Sequence, residues 1–147
     1  MLIKLLFALA MMGVCVALHA TGVVSIVRWI QARHAQSRTI ASSAFLLIRV
    51  AMWTVLLHLA QIVVWAGAYA AGRAMPDFVT AAYFSAVTYT TTGYGDLVLP
   101  KDWRIVGGVE ALTGILMCGV STGMFFAVFS EIFGLWRRST PASQTSL

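Results

Sequence analysis

A chain of 147 residues, 60% of them hydrophobic and only 10% charged, departs far from the roughly 25% charge of soluble domains and has the makeup of an integral membrane protein. Its apolar spans leave too little chain for a soluble catalytic or ligand-sensing domain. The net charge of +5 does not argue for nucleic acid, because the basic residues sit at span ends, where they orient helices in a bilayer.

The opening segment "MLIKLLFALAMMGVCVALHA" imitates a signal peptide, with a basic residue, an apolar core and an alanine where cleavage would fall. Residues 5–27 and 50–72 are uncharged, and 105–130 is broken only by Glu110. At about 1.5 Å per residue each predicts a helix able to cross a hydrocarbon core of about 30 Å. Between the first two spans lies "RWIQARHAQSRTIASSAFLLIR", with Arg28, Arg33, Arg38 and Arg49, whereas only Lys4 precedes the first span. The positive-inside rule places this loop in the cytoplasm and the N-terminus outside, and the third span then returns Arg137 and Arg138 to the cytoplasm. Cleavage after Ala20 would strip most of the first span and strand the basic loop outside, so the segment is expected to stay as a helix of a multi-pass cell-membrane protein. Cys15 and Cys118 fall in different spans with no CxxC pattern, which points to buried thiols rather than to zinc or a disulfide.

Residues 78–95 are also uncharged, but a crossing there would deliver Arg137 and Arg138 to the outside. The stretch is rich in Ser and Thr and carries Gly93 and Gly95, which suits no continuous lipid-facing helix. A re-entrant hairpin fits better. "MPDFVTAAYFSAVTYT" descends as a helix of about ten to thirteen residues, with Pro76 in its first turn and the Asp77 carboxylate at its positive end. "TGYGD" then climbs back as extended backbone, which survives at membrane depth only where it lines a path or is packed in protein. Consecutive carbonyls turned to one axis can replace the hydration shell of an ion, through dihedral angles that glycine adopts freely.

The motif "TTGYGD" resembles the selectivity filter of potassium channels, T-V-G-Y-G-D, and the likeness extends over residues 78–129, through pore helix, filter and inner helix. The resemblance implies an all-α membrane protein of three transmembrane helices, with a pore helix and filter loop between the second and third. It implies potassium as the permeant ion, no cofactor, and a homotetramer in the lipid bilayer, since one loop supplies one wall of a closed ring. The carbonyls of Thr91, Thr92, Gly93 and Tyr94, with the Thr91 hydroxyl, would form successive ion sites. Gly95 would let the backbone leave the filter, and Asp96 would stand at its mouth. Residues 1–44 then form an N-terminal helix and basic loop, 45–136 the pore domain and 137–147 a cytoplasmic tail. Two positions depart from the pattern. Thr92 replaces the usual valine, and Val87 stands where some bacterial members carry a glutamate bonded to the mouth aspartate, so Asp96 needs another partner. The first span has no counterpart in two-helix members, and the spacing of Arg28, Arg33 and Arg38 in a loop is not the arginine ladder of a voltage sensor.

In the third span, aligning Arg104 with the basic residue that opens the inner helix of two-helix channels makes Gly114 the hinge candidate, with Gly119 just beyond. Close packing is the competing reason for these glycines. Ile115, Cys118, Thr122 and Phe126 fall on one helical face, expected to line a cavity below the filter. Glu131 would gather cations at the inner mouth or pair with Arg137 or Arg138. Glu110, deep in the span, is expected either to brace the scaffold by bonding Gln61, His58 or a pore-helix hydroxyl such as Ser85, or to act as a proton-sensitive gate.

The competing functions are a pore-loop subunit of a potassium uptake transporter and a non-conducting modulatory subunit. Transporters of that kind carry four loops in one long chain, and an intact filter argues against a silent subunit. His19, His58 and Glu110 lie scattered over different helices without a nucleophile partner, so no enzyme is expected.

Overall fold

The structure, a computed structural model, describes residues 1–33 and 39–139. Arg38 and the polar tail from residue 140 lie outside the described residues, and so do the side chains of Arg33, Arg137 and Arg138. The described chain is all-α: α1 (Leu2–Arg33), α2 (Ile40–Ala71), α3 (Phe78–Tyr89) and α4 (Arg104–Ser139), with a 3-10 turn at Lys101–Trp103 leading into α4.

α1 and α2 have 32 residues each and α4 has 36, so at about 1.5 Å per residue all three exceed a hydrocarbon core of about 30 Å. All three are also apolar enough to cross a membrane, whereas α3 has only 12 residues. This is a multi-pass membrane protein. The link between the first two spans is shorter than the basic loop read from the sequence, because Arg28 lies within α1 and Arg49 within α2. Likewise α4 runs on through Ser139, past the expected boundary at residue 136.

Local chemistry sets the helix ends. Thr39 caps α2 in a reciprocal box: its hydroxyl accepts from the Ser42 amide at 3.2 Å, and its own amide donates to the Ser42 hydroxyl at 3.1 Å. At the far end the Arg73 amide donates to Ala70 O and the Ala74 amide to Tyr69 O, the paired bonds of a left-handed helix cap. Arg73, at φ 53°, takes the left-handed position usual for glycine. The adjacent Gly72 serves another purpose, because a methyl there would overlap the Trp103 ring.

α1 buries a narrow stripe of Ala8, Cys15, His19, Gly22 and Ile26 against α2 and α4. Small residues on that stripe bring the backbones close; a methyl on Gly22 would overlap Leu57. At one end of the bundle the Lys4 ammonium lies 3.3 Å from the Trp103 ring centroid, and Phe7 meets the same ring edge-on at 5.9 Å. The start of α1 therefore shares an end with the start of α4. At the other end the Arg49 guanidinium sits 4.1 Å from the Trp29 ring centroid, and the Trp53 indole donates to Gly22 O at 2.9 Å. Ile26, Leu46, Val50 and Met124 form a separate apolar cluster there.

Candidate functional site

α3 begins at an aspartate cap. Asp77 is extended, at φ −152°, and its carboxylate accepts from the Thr80 amide and the Thr80 hydroxyl, both at 2.8 Å. Pro76 therefore precedes the cap rather than lying in the first turn. The bonds from Thr80 hold the Asp77 carboxyl below its usual range. The cap is thus intact above the ordinary carboxylate range and is lost only as pH falls through the lowered value.

The middle of α3 is tied to both flanking helices through Glu110. The Ser85 hydroxyl donates to Glu110 Oε1 at 2.5 Å and reaches Ile62 O at 3.0 Å, while the Tyr69 hydroxyl donates to Glu110 Oε2 at 2.6 Å. Tyr69, Ser85 and Glu110 are each 0% exposed. The expected pairing of Glu110 with Gln61 or His58 needs correction. Glu110 lies near the start of α4, level with the last turn of α2, where Tyr69 stands; Gln61 and His58 lie deeper. Gln61 meets His19 and Tyr89, and His58 meets Tyr89 and Ser121.

The C-terminal end of α3 rests on α4 at Gly114. A methyl at this position would overlap the carbonyl oxygen of Tyr89 and stand 2.9 Å from its carbonyl carbon. Close backbone contact by itself accounts for a glycine here, without any bending of α4. At Gly119, by contrast, a methyl would meet nothing of the chain within 4 Å.

Beyond Tyr89 the helix unwinds into the motif. The amides of Thr92 and Gly93 both donate back to Val87 O, at 2.9 and 3.2 Å. Thr91, Gly93 and Gly95 have φ of 59°, 58° and 76°, so every second residue is left-handed. Alternating handedness turns successive carbonyls toward one side, whereas in a regular strand they alternate. A methyl on Gly93 or Gly95 would meet nothing within 4 Å, so backbone dihedrals rather than space call for glycine. Thr91 is β-branched and holds the same region at a cost of about 1–3 kcal/mol, strain of the kind that collects at functional sites.

Neighbouring side chains steady this loop. The Thr90 hydroxyl donates to Ala86 O at 2.7 Å, so in its 2.9 Å contact with Thr92 it accepts. Thr92, in place of valine, thereby ties the loop to α3. Asp96 accepts from the Tyr83 hydroxyl at 2.7 Å and from the Leu97 amide at 3.1 Å. Tyr83 is thus the partner that Val87 does not provide, and the bond raises the Tyr83 phenol above its usual range.

A family model described as "Ion channel" matches residues 51–131, more than half of the chain. The chain belongs to the ion channel family. This family comprises pores of the two-transmembrane potassium-channel type, as the resemblance in "TTGYGD" implied. Comparisons with curated proteins and with solved structures gave no match. The matched segment begins inside α2, so α1 of this channel lies outside it.

In the channel chain α4 presents two distinct faces. Val106, Glu110, Thr113, Met117, Ser121 and Met124 are buried against its own helices. Ile115 at 58% and Phe126 at 69% are exposed, as are Cys118 and Thr122 between them, so the four stripe residues share an outward face of the single chain. The two cysteines separate accordingly: Cys15 is buried as expected, whereas Cys118 is exposed. Glu131 is exposed and is the last residue of α4 whose side chain is described, and its pairing with Arg137 or Arg138 lies outside the described side chains. Sequence reasoning missed Tyr69, Tyr83, Tyr89 and Ser121. For Tyr69 and Tyr89 the available signal was chemical, since a tyrosine buried in an apolar helix needs a partner for its hydroxyl.

Proposed function

We propose that the protein is a potassium-selective channel, assembled from four identical chains with residues 91–95 of each facing a common axis. The observation that carries this reading is the left-handed backbone at Thr91, Gly93 and Gly95 within "TTGYGD". Four such segments supply rings of carbonyl oxygens, from Thr91 through Tyr94, that replace the hydration shell of a potassium ion at successive sites. The Thr91 hydroxyl closes the inner end of the filter and Asp96 stands at its mouth. α3 is then the pore helix, entering the membrane from outside and turning back, and the last carbonyls at its negative end favour a cation beneath the filter. The N-terminus lies outside, and the ends of α1 and α4 carry Arg28, Arg33, Arg137 and Arg138 in the cytoplasm. Ile115, Cys118, Thr122 and Phe126 line the cavity, and Glu131 draws cations to the inner mouth. Transport is passive and needs no cofactor.

Gly93→Ala is expected to abolish potassium flux into liposomes while the tetramer persists in native mass spectrometry, because an added methyl opposes the left-handed dihedral without touching the helices. Full flux in this variant would remove residues 91–95 from the path. A thiol reagent applied from the cytoplasmic side should block wild-type current, and Cys118→Ser should abolish that sensitivity while Cys15→Ser leaves it. If Cys118→Ser channels remain blockable, the α4 stripe does not line the cavity.

A further inference from the structure

Five buried or half-buried polar side chains behind the filter form a closed loop drawn from all four helices. Gln61 Nε2 lies 2.9 Å from His19 Nδ1, and His19 Nε2 lies 3.0 Å from the Ser121 hydroxyl. Ser121 is 3.0 Å from His58 Nε2, His58 Nδ1 is 3.0 Å from the Tyr89 hydroxyl, and Tyr89 donates to Gln61 Oε1 at 3.0 Å. Each member touches two others. His19, Gln61, Tyr89 and Ser121 are all under 9% exposed, so water does not substitute for a missing partner.

Hydrogen inventory settles the direction of the circuit. The Gln61 amide nitrogen also donates to Leu57 O at 3.2 Å; turned over, the amide would set Oε1 against that carbonyl. With the amide so fixed, Gln61 donates to His19 Nδ1, and His19 in its Nε2–H tautomer donates to Ser121. Ser121 then donates to His58 Nε2, His58 in its Nδ1–H tautomer donates to Tyr89, and Tyr89 returns its proton to Gln61 Oε1. Every donor finds an acceptor only when both imidazoles are neutral. A second proton on His19 would face the Gln61 amide hydrogens. Turning the amide to accept it would oppose Leu57 O and leave the Tyr89 hydroxyl without an acceptor. A second proton on His58 would expel the Ser121 hydrogen from the circuit.

We propose that His19 is a positioning residue for the filter: the neutral five-membered circuit fastens α1 to Tyr89, at the end of the pore helix and two residues before Thr91, and protonation opens it and lowers conduction. The proposal rests on the potassium-channel reading for its flux consequence alone. It also gives α1, which lies outside the family match, a place in the pore scaffold. The other titratable groups whose charge is felt in the circuit, at Tyr89 on α3, are Cys15 on α1 and Cys118 and Glu110 on α4. Glu110 is engaged by Tyr69 and Ser85 and bonds neither imidazole.

The test uses the full chain in liposomes. In a His34→Gln background, nitrogen-15 spectra of labelled histidine at neutral pH should show one ring protonated on Nε2 and the other on Nδ1, with neither charged. Two rings of the same tautomer, or a charged ring, would overturn the circuit. This signal is read without conduction, so failure of the circuit and failure of the channel reading are seen separately. Potassium flux in the wild type should fall about tenfold or more as pH is lowered from roughly 8 through and below the range in which exposed imidazoles take up protons. His19→Gln supplies one acceptor and one donor but no titrating ring; it should keep the tetramer and reduce the pH dependence to what His58 alone carries. Tyr89→Phe should lower flux at both ends of the range. A flat wild-type profile, or one that His19→Gln leaves unchanged, would overturn the role given to His19.

Discussion

Gly114→Ala is expected to eliminate selective flux and to weaken the folded channel. The argument is steric and local. The new methyl would occupy the place of the Tyr89 carbonyl oxygen, and the neighbouring carbonyl carbon is backbone, not the movable tip of a side chain. Relief requires α3 and α4 to separate at the last turn of α3, directly before Thr91. Overpacking typically costs about 1–3 kcal/mol, and more where backbone must shift. Gly119→Ala is the matched control: a methyl there meets nothing of its own chain, and the change should stay within about 0.5 kcal/mol. Thermal unfolding of the detergent-solubilised tetramer, with flux measured alongside, checks both. A Gly114→Ala channel as stable and selective as wild type would mean that α3 does not bear on α4 at this point.

Glu110→Ala is expected to be the other severe substitution, and Glu110→Gln to be mild. Alanine strands the buried hydroxyl of Tyr69, at about 1–3 kcal/mol for an unsatisfied group, leaves Ser85 with Ile62 O alone, and adds a cavity where α2, α3 and α4 meet. Glutamine preserves the connections, since its Oε1 accepts from Tyr69 and its Nε2 donates to Ser85, which turns its own proton to Ile62 O. Unfolding midpoints of the three proteins should therefore rank wild type close to glutamine and well above alanine. Equal midpoints for all three would deny Glu110 a bracing role.

The difference between what was legible and what was not follows from the range of the interactions. The three spans, the short fourth helix and its aspartate start rest on hydropathy and on neighbours three or four residues apart, and all were readable. Helical period, a local property, also put Ile115, Cys118, Thr122 and Phe126 on one face of α4. The partners of Glu110 were not readable, apart from Ser85 as one candidate. Tyr69 is a distant neighbour whose level depends on how α2 and α4 are staggered, and residue counting from span ends does not carry that stagger. Gly114 was readable as a glycine with two possible reasons; only the approach of the Tyr89 carbonyl decides for packing. Gly72 and Arg73 invert the usual reading, because Trp103 claims the glycine and leaves the left-handed position to an arginine. His19 carried no local signal at all: its two partners lie on α2 and α4.

The central claim is that four copies of "TTGYGD" form a potassium-selective path. Purified wild-type protein in liposomes, with outward potassium or sodium gradients applied in parallel and the same preparation weighed by native mass spectrometry, tests it most directly. A mass of four chains with flux under the potassium gradient and little under sodium is the predicted result; a monomer, or sodium flux equal to potassium flux, would contradict the account.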